Sequence, residues 1–425
     1  MTATLINETA DGLTIQIVIP FERSMLEAES AICDALNEAG TLASANFLKR
    51  FDSDGTPIVI GQTILTSKGT VAKKYQTPYG ATTVERHVYQ TSKGGKTFCP
   101  LERDARIVTS ATPRLAMQLS HKYAEASARR VVEDLRLNHN RAVAKAYVQT
   151  VADAVAMVAM VKEEQWNYQV PEPEAEVTTI GIGIDGTCLL MCQDGWREAM
   201  VGTISLYDQA GERLHTLYIG ATPEYGKKTF FKRMSAEIAK ISAAFPKALK
   251  VGVADGAKTN WSFLTQHTER QILDFYHAAE YLTQVADAQF ARDPKARKQW
   301  LDDACKSLKH ESTGPQVLIE QMQRFLAEQK LAGQSAKIKA ALTYYQNQCH
   351  LMNYAAHLEQ NLPLGSGVTE AACKTIVKQR LCCSGMKWNE VGAAFLLSLR
   401  TLSHSRGRWE QFWNKIDQYG FPVIA

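Results

Sequence analysis

The chain has 425 residues, more than a single hydrophobic core usually holds, so we expect two or three domains. A composition of 45% hydrophobic and 22% charged residues excludes an intrinsically disordered protein. The formal net charge of +4 excludes a strongly acidic protein but does not by itself indicate a nucleic-acid partner. No run approaches the 18 apolar residues of a membrane span, so we expect no membrane partner.

The cysteines and the first residues indicate a reducing compartment. The nine cysteines include no Cys-x-x-Cys pair, and an odd number cannot all pair with one another. The start of the chain lacks the basic residues and apolar run of a signal peptide. We therefore expect a cytoplasmic protein with free thiols.

The first predicted domain, 1–110, combines a helix with a small β-sheet. Residues 24–51 carry apolar side chains at helical spacing. Residues 56–89 carry short apolar segments broken by glycine and proline, which is typical of hairpins.

Residues 111–164 are predicted to be helical, with a short break between two helices that is typical of a helix-turn-helix. We expect Asn140 to cap the second helix, whose start would carry Arg141 and Lys145 toward phosphates or base edges. An ordinary helical pair explains the same pattern, and the sequence leaves both interpretations open. Residues 165–178, with two prolines among acids, predict a linker.

Residues 179–290 predict strands and helices in the order of an RNase H-like sheet. Three antiparallel strands precede a helix, a strand, a second helix and a fifth strand. The predicted elements, in the same order, are 179–184, 196–207, 213–219, 227–244, 249–254, 260–266 and 271–274.

An Asp-Gly pair ends two of these strands. Asp185 closes the first strand and Asp255 the fourth, and these two strands are neighbours in an RNase H-like sheet. Phosphodiester chemistry uses two Mg²⁺ ions roughly 3.5–4 Å apart, held by carboxylates. A glycine after each aspartate would let a metal or phosphate come close. Either Asp-Gly dipeptide alone could simply begin a turn, but the presence of both at the ends of neighbouring predicted strands favours a metal site.

Glu370 is the third predicted metal ligand. It leads into a predicted helix, 371–380, which could deliver its carboxylate to the metal pair. Between 371 and 408 seven Lys and Arg residues oppose one Glu, a net charge of +6 that suits a DNA backbone. We assign DNA contacts in this segment to four residues: Lys374, Lys378, Arg380 and Lys387.

Three blocks between 181 and 413 carry a resemblance to a known family. They are the segment around Asp185 with Asp194-Gly-Trp-Arg-Glu198, the segment from Asp255 to Glu280, and the segment from Gly365 through Glu370 and Arg380 to Trp388. They resemble the DDE transposases of bacterial insertion sequences of the ISKra type, and the third block is the most specific.

The resemblance implies that Asp185, Asp255 and Glu370 bind two Mg²⁺ ions, with Mn²⁺ as a substitute, and cut and join double-stranded DNA at element ends and targets. It also implies a homodimer or higher oligomer on DNA, in the bacterial cytoplasm with the nucleoid. Asp274 and His277 form an Asp-x-x-His element shared with related transposases. His277 could contact DNA, steady the site or be a capped core histidine. The relatives' cysteine-rich segment is reduced to Cys99 here, so we expect no structural zinc.

A helical segment, 291–360, is predicted to interrupt the core, and residues 361–425 to complete it. Ten Lys and Arg residues oppose six acids within 291–340. We interpret the insertion as a DNA clamp that uses Lys295, Arg297 and Lys298. Its own small core would consist of Leu318, Met322, Phe325, Leu326 and Leu331. A structural lid with a solvated basic face is the alternative.

Three other functions compete. Gly181-x-Gly183-x-x-Gly186 matches the dinucleotide fingerprint, but a hairpin, not the required helix, is predicted to follow. An actin-like sugar kinase would need a second phosphate loop, which the sequence lacks. A catalytically idle, domesticated transposase acting as a sequence-specific DNA-binding protein stays open.

We therefore predict an α+β multidomain protein. An RNase H-like mixed α/β catalytic core would carry an all-α insertion and follow a small β-hairpin and helical DNA-binding region.

Overall fold

A computed structural model describes residues 2–163, 165–328 and 332–421, and it is a mixed α/β protein as predicted. Contacts divide the chain into two compact units. The first is Met1–Tyr168 with Ser398–Ser403 and Arg408–Ala425, and the second is Gln169–Leu397 with His404–Gly407. The sequence assigned all of 361–425 to the core, but two of its segments group with the first unit. Buried Arg400 contributes to this grouping, since it donates to the carbonyl of Ala124 and to Glu125.

In the first unit, two β-strands precede one long helix along the chain, and four β-strands follow it. A hairpin that the sequence did not predict precedes helix α1, and a four-stranded antiparallel sheet follows in chain order. The Ser24 hydroxyl caps α1 by accepting from the Glu27 amide. The elements are β1 (Ala3–Glu8), β2 (Leu13–Ile17), α1 (Met25–Lys49), β3 (Ile58–Ile60), β4 (Thr63–Gln76), β5 (Ala81–Thr91) and β6 (Gly94–Phe98).

Helices complete the first unit, and here two predictions were wrong. Asn140 does not cap the second helix; it ends α4 in the left-handed conformation, with φ 47°. The following helix begins at Lys145, so Arg141 precedes it and lies buried instead of pointing to solvent. The helices are α2 (Pro100–Asp104), α3 (Pro113–Glu125), α4 (Ala128–His139), α5 (Lys145–Glu163) and, from the C-terminal part of the chain, α16 (Arg408–Tyr419).

A five-stranded mixed sheet forms the centre of the second unit, in the order β11-β10-β7-β8-β9. β7, β8 and β9 are antiparallel, while β10 runs parallel to both β7 and β11. The elements are β7 (Thr179–Met191), β8 (Gly195–Tyr207), β9 (Arg213–Ala221), α6 (Lys228–Ala244), β10 (Leu249–Ala254), α7 (Lys258–His267) and β11 (Arg270–Leu273).

The first strand of this sheet is longer than predicted. We expected it to close at Asp185, but β7 continues to Met191 and pairs with β8 along its whole length. The three glycines of the dinucleotide fingerprint therefore lie inside a strand that returns as a hairpin. Because that fingerprint needs a helix after its glycines, the structure excludes the dinucleotide interpretation.

The helical insertion shares the hydrophobic core of the sheet. Leu308, Leu318 and Met322 of the insertion belong to the same buried cluster as Ile182 and Val253 of the sheet. The expected separate core was therefore wrong, and Leu331, which we assigned to it, lies outside the described residues. The helices are α8 (Phe275–Gln289), α9 (Pro294–His310), α10 (Gly314–Glu328), α11 (Ala332–Gln348) and α12 (Tyr354–Glu359).

The last part of the second unit carries Glu370. The predicted helix began at residue 371, but the observed one begins at Gly367 and continues through a π-helical turn, Cys373–Lys378. The helices are α13 (Gly367–Ala372), α14 (Gln379–Leu381) and α15 (Glu390–His404). Within the described parts of the chain, every helix is too short or too polar to cross a membrane.

Candidate metal centre

Asp185 and Asp255 lie side by side at one edge of the parallel pair β7–β10. The last paired residues of the two strands are Gly183 and Val253. Asp185 lies two positions after Gly183, and Asp255 lies two positions after Val253. Asp255 lies just past the end of β10, near enough for its charge to add to the effect of burial in raising the pKa of Asp185. The structure therefore brings these two predicted ligands together, although β7 itself does not end there.

Asp185 is half-buried and experiences the charge of nearby carboxylates. Burial raises its pKa above the usual value, and the charges of Asp255 and Glu198 raise it further. Two donors oppose this effect: the Gly186 amide at 2.7 Å from Oδ1 and the Cys373 thiol at 3.4 Å from Oδ2. A bound cation would relieve the cost of keeping this carboxylate ionised.

The raised pKa of Asp185 predicts a stability change that can be measured without substrate. The folded state binds the Asp185 proton more tightly than the unfolded state does. Protonation of Asp185 therefore stabilises the fold at low pH, and this contribution to stability is lost as the pH rises through the folded pKa. We expect Asp185→Asn to raise the melting temperature in EDTA at pH 7 and to flatten its dependence on pH above about 3.8, the ordinary value. Calorimetry from pH 4 to 8 tests this, and a lower melting temperature at pH 7 would contradict it.

Asp255 begins a tight loop after β10. Its Oδ1 accepts from the Ala257 amide at 3.1 Å, and its own main-chain carbonyl accepts from the Tyr344 hydroxyl at 3.1 Å. Gly256 has a φ of 102°, a conformation that favours glycine. The glycine after Asp255 is thus required by the shape of the loop.

The glycine after Asp185 does not leave the open space that we expected. A Cβ at Gly186 would lie 2.2 Å from a carboxylate oxygen of Glu198, which lies on the neighbouring strand β8 and pairs with Cys188. Glu198 also forms an ion pair of 2.7 Å with Lys227. This fourth carboxylate near the centre was missed as a site residue, although it ends the Asp194-Gly-Trp-Arg-Glu198 block.

Helix α13 lies close to the sheet because Gly183 has no side chain. A Cβ there would lie 2.0 Å from the hydroxyl of Thr369, which forms a hydrogen bond of 2.7 Å with Thr203 on β8. The Thr369–Thr203 contact fixes the turn of α13 that carries Glu370. Gly183 therefore serves helix packing, a role that its position in a glycine-rich strand did not reveal.

Glu370 is joined to Asp274 through Ser366. The Ser366 hydroxyl lies 3.0 Å from Glu370 Oε1 and also forms a hydrogen bond with Asp274 Oδ2, which accepts from the Ser366 amide as well. One hydroxyl proton serves one acceptor at a time, so the Glu370 carboxylate is held by a shared hydrogen bond. Ser366 is a second functional candidate that the sequence did not single out.

Asp274 and His277 both belong to the start of α8. Asp274 is fully buried and caps the helix by accepting from the His277 amide at 2.9 Å. The half-buried His277 ring lies 3.5 Å from a carboxylate oxygen of Glu280 and packs by its edge near Tyr281 and Tyr344. These contacts place Asp274 in a supporting position and His277 beside an aromatic cluster.

The basic residues that we assigned to DNA divide into exposed and buried ones. In the second unit Lys374, Lys378, Lys387, Lys295 and Lys298 are exposed. Arg380, however, is 3% exposed and packs over the Trp388 ring at 5.6 Å. Arg297 is half-buried and forms an ion pair with Asp287. Arg380 is thus largely buried in this structure, and its contact with DNA stays a prediction.

In the first unit, Lys145 is exposed while Arg141 is 7% exposed. The Arg141 guanidinium donates to Gln76 at 2.9 Å and to the carbonyl of Thr77 at 3.1 Å. Burial lowers the pKa of Arg141 from its ordinary value. Arg141 therefore fastens α4 and the following loop to the sheet, and it is not presented to DNA.

Over residues 2–163, 165–328 and 332–421, the structure gathers no group of three or more His, Cys, Asp or Glu side chains that could hold a metal ion. Asp185 and Asp255 are neighbours, whereas Glu370 is engaged by Ser366. No family model matches the chain, and no curated protein matches it.

Proposed function

We propose that this protein is a DDE-type DNA transposase that cleaves the ends of an insertion sequence and transfers the strands to target DNA. The observation that carries the proposal is the pair Asp185 and Asp255, each two positions beyond the last residue pair of the parallel strands β7 and β10. Three antiparallel strands followed by two parallel ones, in the order β11-β10-β7-β8-β9, support an RNase H-like core.

The three predicted donors suit Mg²⁺ by their chemistry, and two of them, Asp185 and Asp255, lie near one another. Asp185, Asp255 and Glu370 offer carboxylate oxygens, which are the hard ligands that Mg²⁺ prefers. When bound, a metal pair supplies activation of the attacking oxygen and stabilisation of the leaving one. Burial raises the pKa of Asp185 and the charge of Asp255 raises it further, so a bound cation would favour the ionised form of Asp185.

The chain's own residues then have separate tasks. Asp185 and Asp255 are fixed by the sheet and its loop, while Glu370 sits on α13, whose position is set by the Thr369–Thr203 contact. Exposed Lys374, Lys378 and Lys387 follow Glu370 in sequence and are suited to the phosphates that flank a scissile bond.

The proposal predicts metal-dependent cleavage of one particular DNA. With Mg²⁺ or Mn²⁺, the purified full chain should cut a fragment that carries the flanks of its own gene, and EDTA should abolish the products. A fragment of equal length with scrambled flanks is the control. Products on denaturing gels measure the rate. Specific binding of the flanks without cleavage in either metal would favour the idle DNA-binding alternative, and cleavage that persists in EDTA would contradict a metal mechanism.

A further inference from the structure

Helix α11 of the insertion reaches the loop that carries Asp255. The Tyr344 hydroxyl donates to the Asp255 carbonyl at 3.1 Å, and the Gln348 amide lies 3.5 Å from the Gly256 carbonyl. These carbonyls follow the last residue of β10, where the ladder with β7 has already ended. Two consecutive peptide groups beside a proposed metal ligand thus take their donors from a helix 89 or more positions away.

The Tyr344 ring is itself held in place by aromatic neighbours. It stacks on Tyr281 of α8 with the ring centroids 4.0 Å apart and the planes at 16°, and His277 approaches at 6.1 Å. Stacked pairs of this kind contribute to stability beyond their buried area. A ring fixed on one side can direct its hydroxyl to one carbonyl on the other.

We infer that Tyr344 is a positioning residue, through which the insertion sets the geometry of Asp255. The inference rests on the proposed function, because it needs Asp255 to be a metal ligand. Residues that orient a metal ligand without binding the metal themselves typically weaken metal affinity by about 10–100-fold when they are removed. The insertion would then be part of the catalytic machinery, in addition to any contact that its basic residues make with DNA.

The neighbouring residue offers a matched control. Tyr345 also lies on α11 and also donates its hydroxyl to a main-chain carbonyl, that of Ala278 at 3.0 Å. It is fully buried and faces α8 instead of the Asp255 loop. Tyr344→Phe and Tyr345→Phe therefore remove the same group from the same helix, with different carbonyls left behind.

The test measures the Mn²⁺ affinity of the full chain, with the concentration of free Mn²⁺ determined from its electron paramagnetic resonance signal. We expect Tyr344→Phe to weaken Mn²⁺ binding about tenfold, while Tyr345→Phe binds as the wild type does. Melting temperatures show whether either variant is less stable. Equal Mn²⁺ affinities for the two Phe variants would overturn the positioning role.

The variant Asp255→Asn distinguishes a failure of the inference about Tyr344 from a failure of the proposed function. If Asp255→Asn binds Mn²⁺ as tightly as the wild type, Asp255 is not a ligand, and both the site and the inference fail. If Asp255→Asn loses binding and Tyr344→Phe does not, the metal site stands and only the role of Tyr344 is refuted.

Discussion

Asp255→Asn should reduce Mg²⁺-dependent cleavage by about a thousandfold or more. A metal ligand contributes several kcal/mol of charge stabilisation in the transition state, and each loss of about 1.4 kcal/mol lowers the rate tenfold. The change keeps the shape of the side chain and its acceptor for the Ala257 amide, so the loop and the binding of DNA should persist. Single-turnover cleavage of the flanking DNA, with binding measured in parallel, tests this.

A matched control for this variant lies at the opposite edge of the same sheet. Asp208 follows β8, and its Oδ1 accepts from the Glu212 amide at 2.8 Å, much as Asp255 accepts from Ala257. Thr179 at the start of β7 pairs with Tyr207, so Asp208 is at the end of the sheet far from Asp185. Asp208→Asn should cleave normally. If Asp255→Asn also cleaves at the wild-type rate, Asp255 is removed from the site.

The pair of aspartates could be predicted because the information is local. Leu249–Ala254 is a short apolar run that ends at Asp-Gly, and the observed β10 has the same limits as the predicted strand. The parallel pairing with β7 follows from a helical connection between strands, which is α6 here. The end of β10 and its parallel pairing with β7 therefore suffice to bring Asp255 near Asp185.

The end of β7 could not be predicted from the same signals. Asp-Gly is a turn signal after a parallel strand, but residues beyond Asp185 still find partners on β8, from Gly186 with Met200 to Met191 with Gly195. The hairpin neighbour decides where β7 ends, and it overrides the local turn preference.

The support of the site depends on contacts that are distant in sequence. Ser366 meets Asp274 across 92 positions, and Tyr344 meets Asp255 across 89. No periodicity or spacing encodes such pairs. The same reason explains why the burial of Arg141 and Arg380 could not be predicted: a count of basic residues measures charge but does not show which guanidinium groups the fold buries.

Asp274 is expected to contribute more to stability than an exposed helix cap does. It is 0% exposed, and its two oxygens accept from the His277 amide and from the amide and hydroxyl of Ser366. Removal of the carboxylate leaves the His277 and Ser366 amides without this acceptor at a buried position, while the Ser366 hydroxyl can still donate to Glu370. A lost helix cap costs about 1 kcal/mol, and each stranded buried donor costs about 1–3 kcal/mol.

We therefore expect Asp274→Ala to lower the free energy of unfolding by about 2–4 kcal/mol. Asp293→Ala is the matched control, because Asp293 caps α9 by accepting from two amides, yet it is exposed, and water can replace it. Its loss should cost about 1 kcal/mol. Urea unfolding of the full chains, followed by circular dichroism, measures both. Equal costs for the two variants would show that the bonds between Asp274 and Ser366 add nothing to a helix cap, and Glu370 would then lack the buried support on which its position depends.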